Sequence, residues 1–261
     1  PLCVGPMTGD TVAVVSDLHL APESAGPLFD AFEAATERFL AHDPDELVVL
    51  GDVVAGTGPD ADRRLLARFV DRLDDLPVPY RVVPGNHDVD HLDLETFEEL
   101  VGNDRWRIGS DDDRVFLDSS APRLSGSRGE VDAVQLDALA DAAAQLRDAV
   151  VFVHHPVHYR PVGDNYWFGE HPEEAFCGNK RDVRALLDPA ADRIDAVVNG
   201  HLHAWHYDDV DGLPHFTVDS FNKRRNPRGE TGAFAVLRTG ETTVCEHHAG
   251  DGTEHRVRLP D

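Results

Sequence analysis

The sequence predicts an α/β protein built as a four-layer α/β/β/α sandwich, with two mixed sheets face to face and helices outside. Two patterns predict it. Through most of the chain, short apolar runs bounded by polar residues alternate with longer stretches at helical spacing, as crossover units require. From Ala204 onward the pattern changes to short strands separated by Asp211-Gly212 and Thr239-Gly240, dipeptides that signal hairpins.

In order, the apolar runs at 11–16, 46–50, 80–83, 115–117, 150–153 and 196–198 read as buried strands, because they are apolar on successive residues rather than alternate ones. Helices are predicted over 27–41, 60–76, 92–101, 131–147 and 180–187. The last part of the chain supplies short strands at 206–210, 214–218, 233–237 and 243–247. No internal repeat, low-complexity tract or linker interrupts the pattern. Met7 is the single methionine and directly precedes Thr8-Gly9-Asp10, so residues 1–6 are expected to be a non-native leader and 7–261 a single domain.

The chain of 261 residues carries Asp+Glu 49 against Lys+Arg 24, a formal charge of -25. Such a surface repels a phosphate backbone, so neither duplex nucleic acid nor an anionic membrane is an expected partner. Lys180 and Lys223 are the only lysines. An Asp-rich, Lys-poor balance resembles proteins from cells that hold molar salt, where a Debye length of about 3 Å screens self-repulsion. Cys3, Cys177 and Cys245 are odd in number and form no CxxC pair, which fits a reducing cytoplasm. No apolar run reaches the length of a membrane span, and the start lacks the pattern of a secretion signal.

The informative polar residues all follow predicted strands. Asp17 and His19 follow the first, Gly51-Asp52 the second, and Gly85-Asn86-His87-Asp88 the third. His154-His155-Pro156 follows 150–153, and Gly200-His201-Leu202-His203 follows 196–198. Ligands of α/β sheets gather beyond the carboxyl ends of strands, so these segments can converge on one crevice. Asp17 and His19 flank Leu18, as His201 and His203 flank Leu202; in extended backbone each pair would share one face while the leucine turns inward. Gly51, Gly85 and Gly200 each precede a candidate ligand, where backbone must turn sharply or pass close. Imidazoles, carboxylates and one amide oxygen suit Mn, Fe, Zn or Co, and the lack of cysteine argues against a purely structural zinc site. His154 and His155 compete for one position, and His154, directly after the strand, is preferred. His158, His171, His206 and His215 carry no motif and read as surface or supporting residues.

In this order, D-x-H, G-D, G-N-H-D, H and G-H-x-H resemble the calcineurin-like metallophosphoesterase family, over Asp17 to His203. The resemblance implies two divalent or trivalent ions. Asp17, His19, Asp52 and His203 would hold one, and Asp52, Asn86, His154 and His201 the other, with Asp52 shared. It implies hydrolysis of a small phosphate ester, a hydroxide held by the ions attacking phosphorus in line. His87 would be the catalytic group, oriented by Asp88. Length and the H-H-P segment resemble the cyclic-nucleotide and glycerophosphodiester phosphodiesterase branch, with phosphomonoesters as further candidates. The rival from another class is a metal-binding scaffold of the same fold without catalysis; a DNA-repair nuclease is disfavoured by the charge. The aromatic stretch 159–178 is a candidate lid or substrate wall, and 222–228, the only basic cluster, a candidate phosphate-recruiting loop. Lys180 and Arg181 at a helix start are a further phosphate candidate.

Overall fold

The structure, a computed structural model, describes residues 10–109, 114–225, 230–250 and 252–259. The expected leader 1–6 lies outside them. Five helices and eleven strands follow one another as β1 Thr11–Val15, α1 Ala25–Leu40, β2 Glu46–Val49, α2 Pro59–Asp74, β3 Tyr80–Val82, α3 Leu94–Val101, β4 Arg114–Leu117, α4 Ala133–Ala143, β5 Ala149–Val153, α5 Lys180–Leu187 and β6 Ile194–Asn199 among the described residues. The rest is all strand: β7 His206–Val210, β8 Leu213–Thr217, β9 Phe234–Arg238, β10 Val244–Ala249 and β11 Gly252–Arg258.

The strands form two mixed sheets, in the orders β11-β10-β9-β1-β2-β3 and β4-β5-β6-β8-β7. In the first, β1, β2 and β3 run parallel and β9 pairs antiparallel with β1; in the second, β4, β5, β6 and β8 run parallel and β7 antiparallel. Successive side chains of β1 serve different layers. Val12 and Val14 pack between the sheets with Val48, Phe152 and Val198, whereas Ala13 and Val15 pack beneath α1 and α2 with Phe32 and Phe69. A third apolar layer joins the second sheet to Leu139 of α4 and to Val183 and Leu187 of α5. Both faces of each central strand are therefore buried, and their sequences are apolar without alternation for that reason. The four-layer sandwich expected from sequence is the observed architecture.

Two helix starts fall later than predicted, because a capping aspartate ends the preceding loop. Asp93 accepts the backbone N–H of Thr96, and Asp132 that of Gln135. The strand at β11 was not expected. Its sequence, GTEHRVR, has no apolar run, and pairing along β10 forms it. Among the described residues no helix is long and apolar enough to cross a membrane. Cys177 and Cys245 are free and buried.

Candidate metal centre

The loops after β1, β2, β3, β5 and β6 meet at one edge of the sandwich, as predicted. Their backbone is not extended there, contrary to expectation: Asp17, His19, Asp52, His201 and His203 all have left-handed φ, between 46° and 69°. Hydrogen bonding sustains that geometry. The N–H groups of Asp17, His19 and Leu20 donate to the carbonyls of Gly51, Asp52 and Val53, so the segment after β1 stays beside the segment after β2. Leu18 and Leu202 remain fully buried between the paired polar residues, so the shared face is reached by alternate left-handed residues instead of by a strand.

Backbone proximity makes the glycines obligatory. A Cβ on Gly85 would lie 2.3 Å from Asp52 Oδ1 and 2.4 Å from the Asp52 nitrogen. A Cβ on Gly200 would lie 1.9 Å from Ser16 Oγ and 2.7 Å from Asp17 Oδ2, where the two sheets close on each other.

Each carboxylate has one oxygen fixed and one turned to the centre. Asp17 Oδ2 accepts from Ser16 Oγ at 2.6 Å and from the His201 N–H at 3.0 Å, leaving Oδ1 3.2 Å from His203 Nε2. Asp52 Oδ1 accepts the His87 N–H at 2.8 Å, leaving Oδ2 3.5 Å from His19 Nε2 and 3.6 Å from His154 Nε2. The imidazoles are oriented likewise. His154 Nδ1–H donates to the Leu50 carbonyl at 2.6 Å and His201 Nε2–H to the Glu174 carbonyl at 2.9 Å. The nitrogens left free, His154 Nε2 and His201 Nδ1, face each other at 3.3 Å, and His19 Nε2 and His203 Nε2 lie 3.0 Å apart.

Burial would raise both carboxyls, yet the imidazoles outweigh it, chiefly His203 for Asp17 and His154 for Asp52, and hold both well below the usual range. Burial lowers His19 and His201 to about 3, keeping them neutral donors. Burial also opposes a charge on His154, but Asp52 prevails and raises it to about 9, so a metal held by Nε2 would displace a proton from it.

Two donor groups result. Asp17, His19, Asp52 and His203 bring one ligand atom each within 4.8 Å of one another, and all are buried. His154 and His201 form the second, beside Asp52 and Asn86, whose buried Oδ1 makes no hydrogen bond among the described residues. His155 is adjacent to this pair, but Nδ1 is taken by Ser119 Oγ at 2.8 Å and Nε2 by the Ser127 carbonyl at 3.1 Å. A donor set of carboxylate, imidazole and amide oxygen, gathered in two adjacent groups, fits a pair of divalent ions.

His87 stands outside both groups, its ring edge-on to His19 at 4.8 Å. Asp88 does not orient it. That carboxyl is fully buried and accepts from the N–H groups of Val54 and Gly85; burial, then the Asp52 charge, raises it to about 7. The carboxylate nearest His87 Nδ1 is instead Asp90, at 3.5 Å.

A cavity of about 170 Å³ opens over the donors, lined by Asp52, Asn86, His87, His201 and His203 and, opposite them, by Tyr166, Trp167, Phe168, Ser127 and Arg225. The stretch 159–178 is thus a wall of the site. Arg225 belongs to the basic cluster 222–228, of which residues 226–228 lie outside the described residues. Lys180 and Arg181 line a separate cavity of about 780 Å³ that shares no residue with the donor groups. His158 and His215 are buried, not at the surface. The individual roles of Tyr166 and Arg225 were not legible in the sequence, where only the aromatic and basic composition of their segments marked them, and nothing in the sequence marked Ser127.

A sandwich of two mixed sheets with paired acidic and imidazole donors at the strand ends is the framework of a metal-dependent phosphoesterase. Residues 11–205 match the family model described as calcineurin-like phosphoesterase, and the chain belongs to that family. Membership implies two divalent ions and phosphoester hydrolysis as the class of chemistry. Among solved structures the chain is similar to a dimetal phosphatase from Danio rerio, with TM-score 0.70 and 18% identity over 95% of this chain and 98% of that one. It is also similar to GAP50, the anchor in the inner membrane complex of Plasmodium, with TM-score 0.64 and 13% identity over 96% of this chain and 88% of that one. At such identities the likeness is one of fold. No curated protein matches the chain.

Proposed function

We propose that the protein hydrolyses small phosphate esters on a pair of divalent ions. The observation that carries this reading is Asp52, whose free oxygen lies between the two donor groups, 3.5 Å from His19 Nε2 and 3.6 Å from His154 Nε2. Asp17, His19, Asp52 and His203 would hold one ion; Asp52, Asn86, His154 and His201 would hold the other. When bound, such a pair lowers the pKa of water and neutralises phosphoryl charge.

The residues of the chain do the rest. Arg225, across the cavity, supplies a cation to the phosphate in an otherwise acidic protein. His87 lines the same cavity without belonging to either donor group, so its imidazole is free to give a proton to the departing oxygen, with Asp90 behind it. Tyr166, Trp167 and Phe168 narrow the entrance and exclude water from the bound ester. The likeness of the H-H-P segment to the cyclic-nucleotide and glycerophosphodiester branch makes diesters the first substrates to test. Duplex nucleic acid and membranes are not partners in this reading, because the net charge is -25.

A scaffold role without catalysis draws on the anchor named for the Plasmodium protein; the position of His87 at the cavity weighs against it. Phosphomonoesters, phosphodiesters and cyclic nucleotides assayed with Mn, at low and molar salt, test the proposal. Turnover of at least one class is expected. No turnover by protein holding two ions would favour the scaffold.

A further inference from the structure

The histidines of the G-H-x-H turn are held from outside by the stretch 159–178. The Glu174 carbonyl takes His201 Nε2–H at 2.9 Å, and Asn165 Nδ2 donates to the Leu202 carbonyl at 2.7 Å. Tyr166 Oη lies 3.0 Å from His203 Nδ1. Below these bonds, Leu202 packs into an apolar cluster with Val162, Phe168, Ala175 and Phe176, and the Phe168 ring sits 4.8 Å from His201. Asn165 is itself fixed, since its Oδ1 accepts the N–H groups of Trp167 and Phe168 at 3.0 Å. The stretch therefore grips all three residues of the turn in register.

We infer that Tyr166 is a positioning residue for the metal centre: its hydroxyl oxygen accepts the proton on His203 Nδ1 and so presents His203 Nε2 as the ligand. This rests on the dinuclear reading of the site. For His201 a carbonyl, which can only accept, dictates which nitrogen keeps its proton. Among the described residues His203 has no such carbonyl; its Nδ1 faces a hydroxyl that can accept or donate. Its Nε2, however, faces Asp17 Oδ1 at 3.2 Å and His19 Nε2 at 3.0 Å, inside the donor group. A neutral ring ligating through Nε2 must carry its proton on Nδ1, so the phenol oxygen acts as acceptor there, as it also does toward the Arg225 guanidinium, and its own O–H points to neither. The exposed loop that walls the cavity thus also sets the chemistry of a buried ligand.

Manganese binding to chelator-stripped wild type, Tyr166→Phe and Glu170→Gln, measured by calorimetry, tests this. Phenylalanine keeps the ring and removes the acceptor, whereas Glu170 is an exposed residue of the same loop. Wild type and Glu170→Gln are expected to bind two ions, and Tyr166→Phe to bind one as before and the other about 10–100-fold more weakly. Unchanged binding of both ions by Tyr166→Phe overturns the inference, while a wild type that binds no pair overturns the dinuclear reading instead. Long-range proton–nitrogen spectra of the histidine rings decide the point without a variant, in metal-free and in zinc-loaded wild type. His203 is expected to carry its proton on Nδ1 in both, and a proton on Nε2 in the metal-free protein overturns the role given to Tyr166.

Discussion

The backbone N–H of His87 donates to Asp52 Oδ1 at 2.8 Å, which ties the proposed proton donor and the carboxylate proposed to be shared into one unit. Only Oδ2 is then left to face both donor groups. Asp52→Asn can keep the first contact while removing the charge from the second. It is expected to weaken both ions by more than the about 10–100-fold that loss of an outer partner causes, with turnover lost in parallel. Manganese titration and assay of one sample check this, and wild-type affinity for either ion would contradict sharing.

His87 belongs to neither donor group, so His87→Ala should bind metal as the wild type does. Its turnover of esters with poor leaving groups should fall about 10²–10⁴-fold, with a smaller loss on activated aryl esters that need no proton. Asp90→Asn, 3.5 Å from His87 Nδ1, should cause a milder loss in the same direction. Equal losses on both kinds of ester would remove His87 from the leaving-group step.

Gly85→Ala tests the close approach of the β2 and β3 loops. The added methyl would meet Asp52 Oδ1 at 2.3 Å and backbone nitrogen at 2.4 Å, and neither can withdraw without moving a ligand. A stability loss of about 1–3 kcal/mol is expected, together with weakened metal binding. Urea unfolding with and without Mn measures both.

A loss of stability in acid is expected from a group outside the proposed metal centre. His215 is fully buried in β8, its ring nitrogens make no hydrogen bond among the described residues, and burial lowers it from 6.5 to about 2. Below pH 6.5 the unfolded chain takes up a proton that the folded one refuses, so stability is complete above that pH and is lost as pH falls toward 2. For one such group the loss between pH 7.5 and 5.5 is about 1.4 kcal/mol. His215→Leu should reduce the fall by about that amount, and an unchanged pH dependence would exclude His215 as its source.

Much of this was legible in the sequence because the β1, β2, β5 and β6 strands are buried on both faces, which leaves uninterrupted apolar runs whose ends mark the proposed ligands. Asp17, Asp52 and His201 could be placed beyond strand ends for that reason. The left-handed backbone at these residues was not legible, since it depends on hydrogen bonds between loops far apart in sequence, such as His19 N–H to the Asp52 carbonyl. Asp88 was misread because adjacency to His87 says nothing of direction; its carboxylate turns inward to cap Gly85 and Val54. Likewise β11 exists through its pairing with β10, which no local pattern announces.

The acidic surface gives one more expectation. Self-repulsion at a charge of -25 is screened within about 3 Å at molar salt, so unfolding free energy should rise between 0.1 and 2 M KCl. Stability that is flat or falls with salt would argue against a high-salt setting.

The number of ions held by each chain decides whether the centre is dinuclear. Chelator-stripped protein, reconstituted with Mn and freed of unbound ion, should retain close to two ions per chain by elemental analysis, and Asp52→Ala far fewer. Occupancy near zero in the wild type, or a single ion unaffected by loss of Asp52, would contradict the dinuclear account.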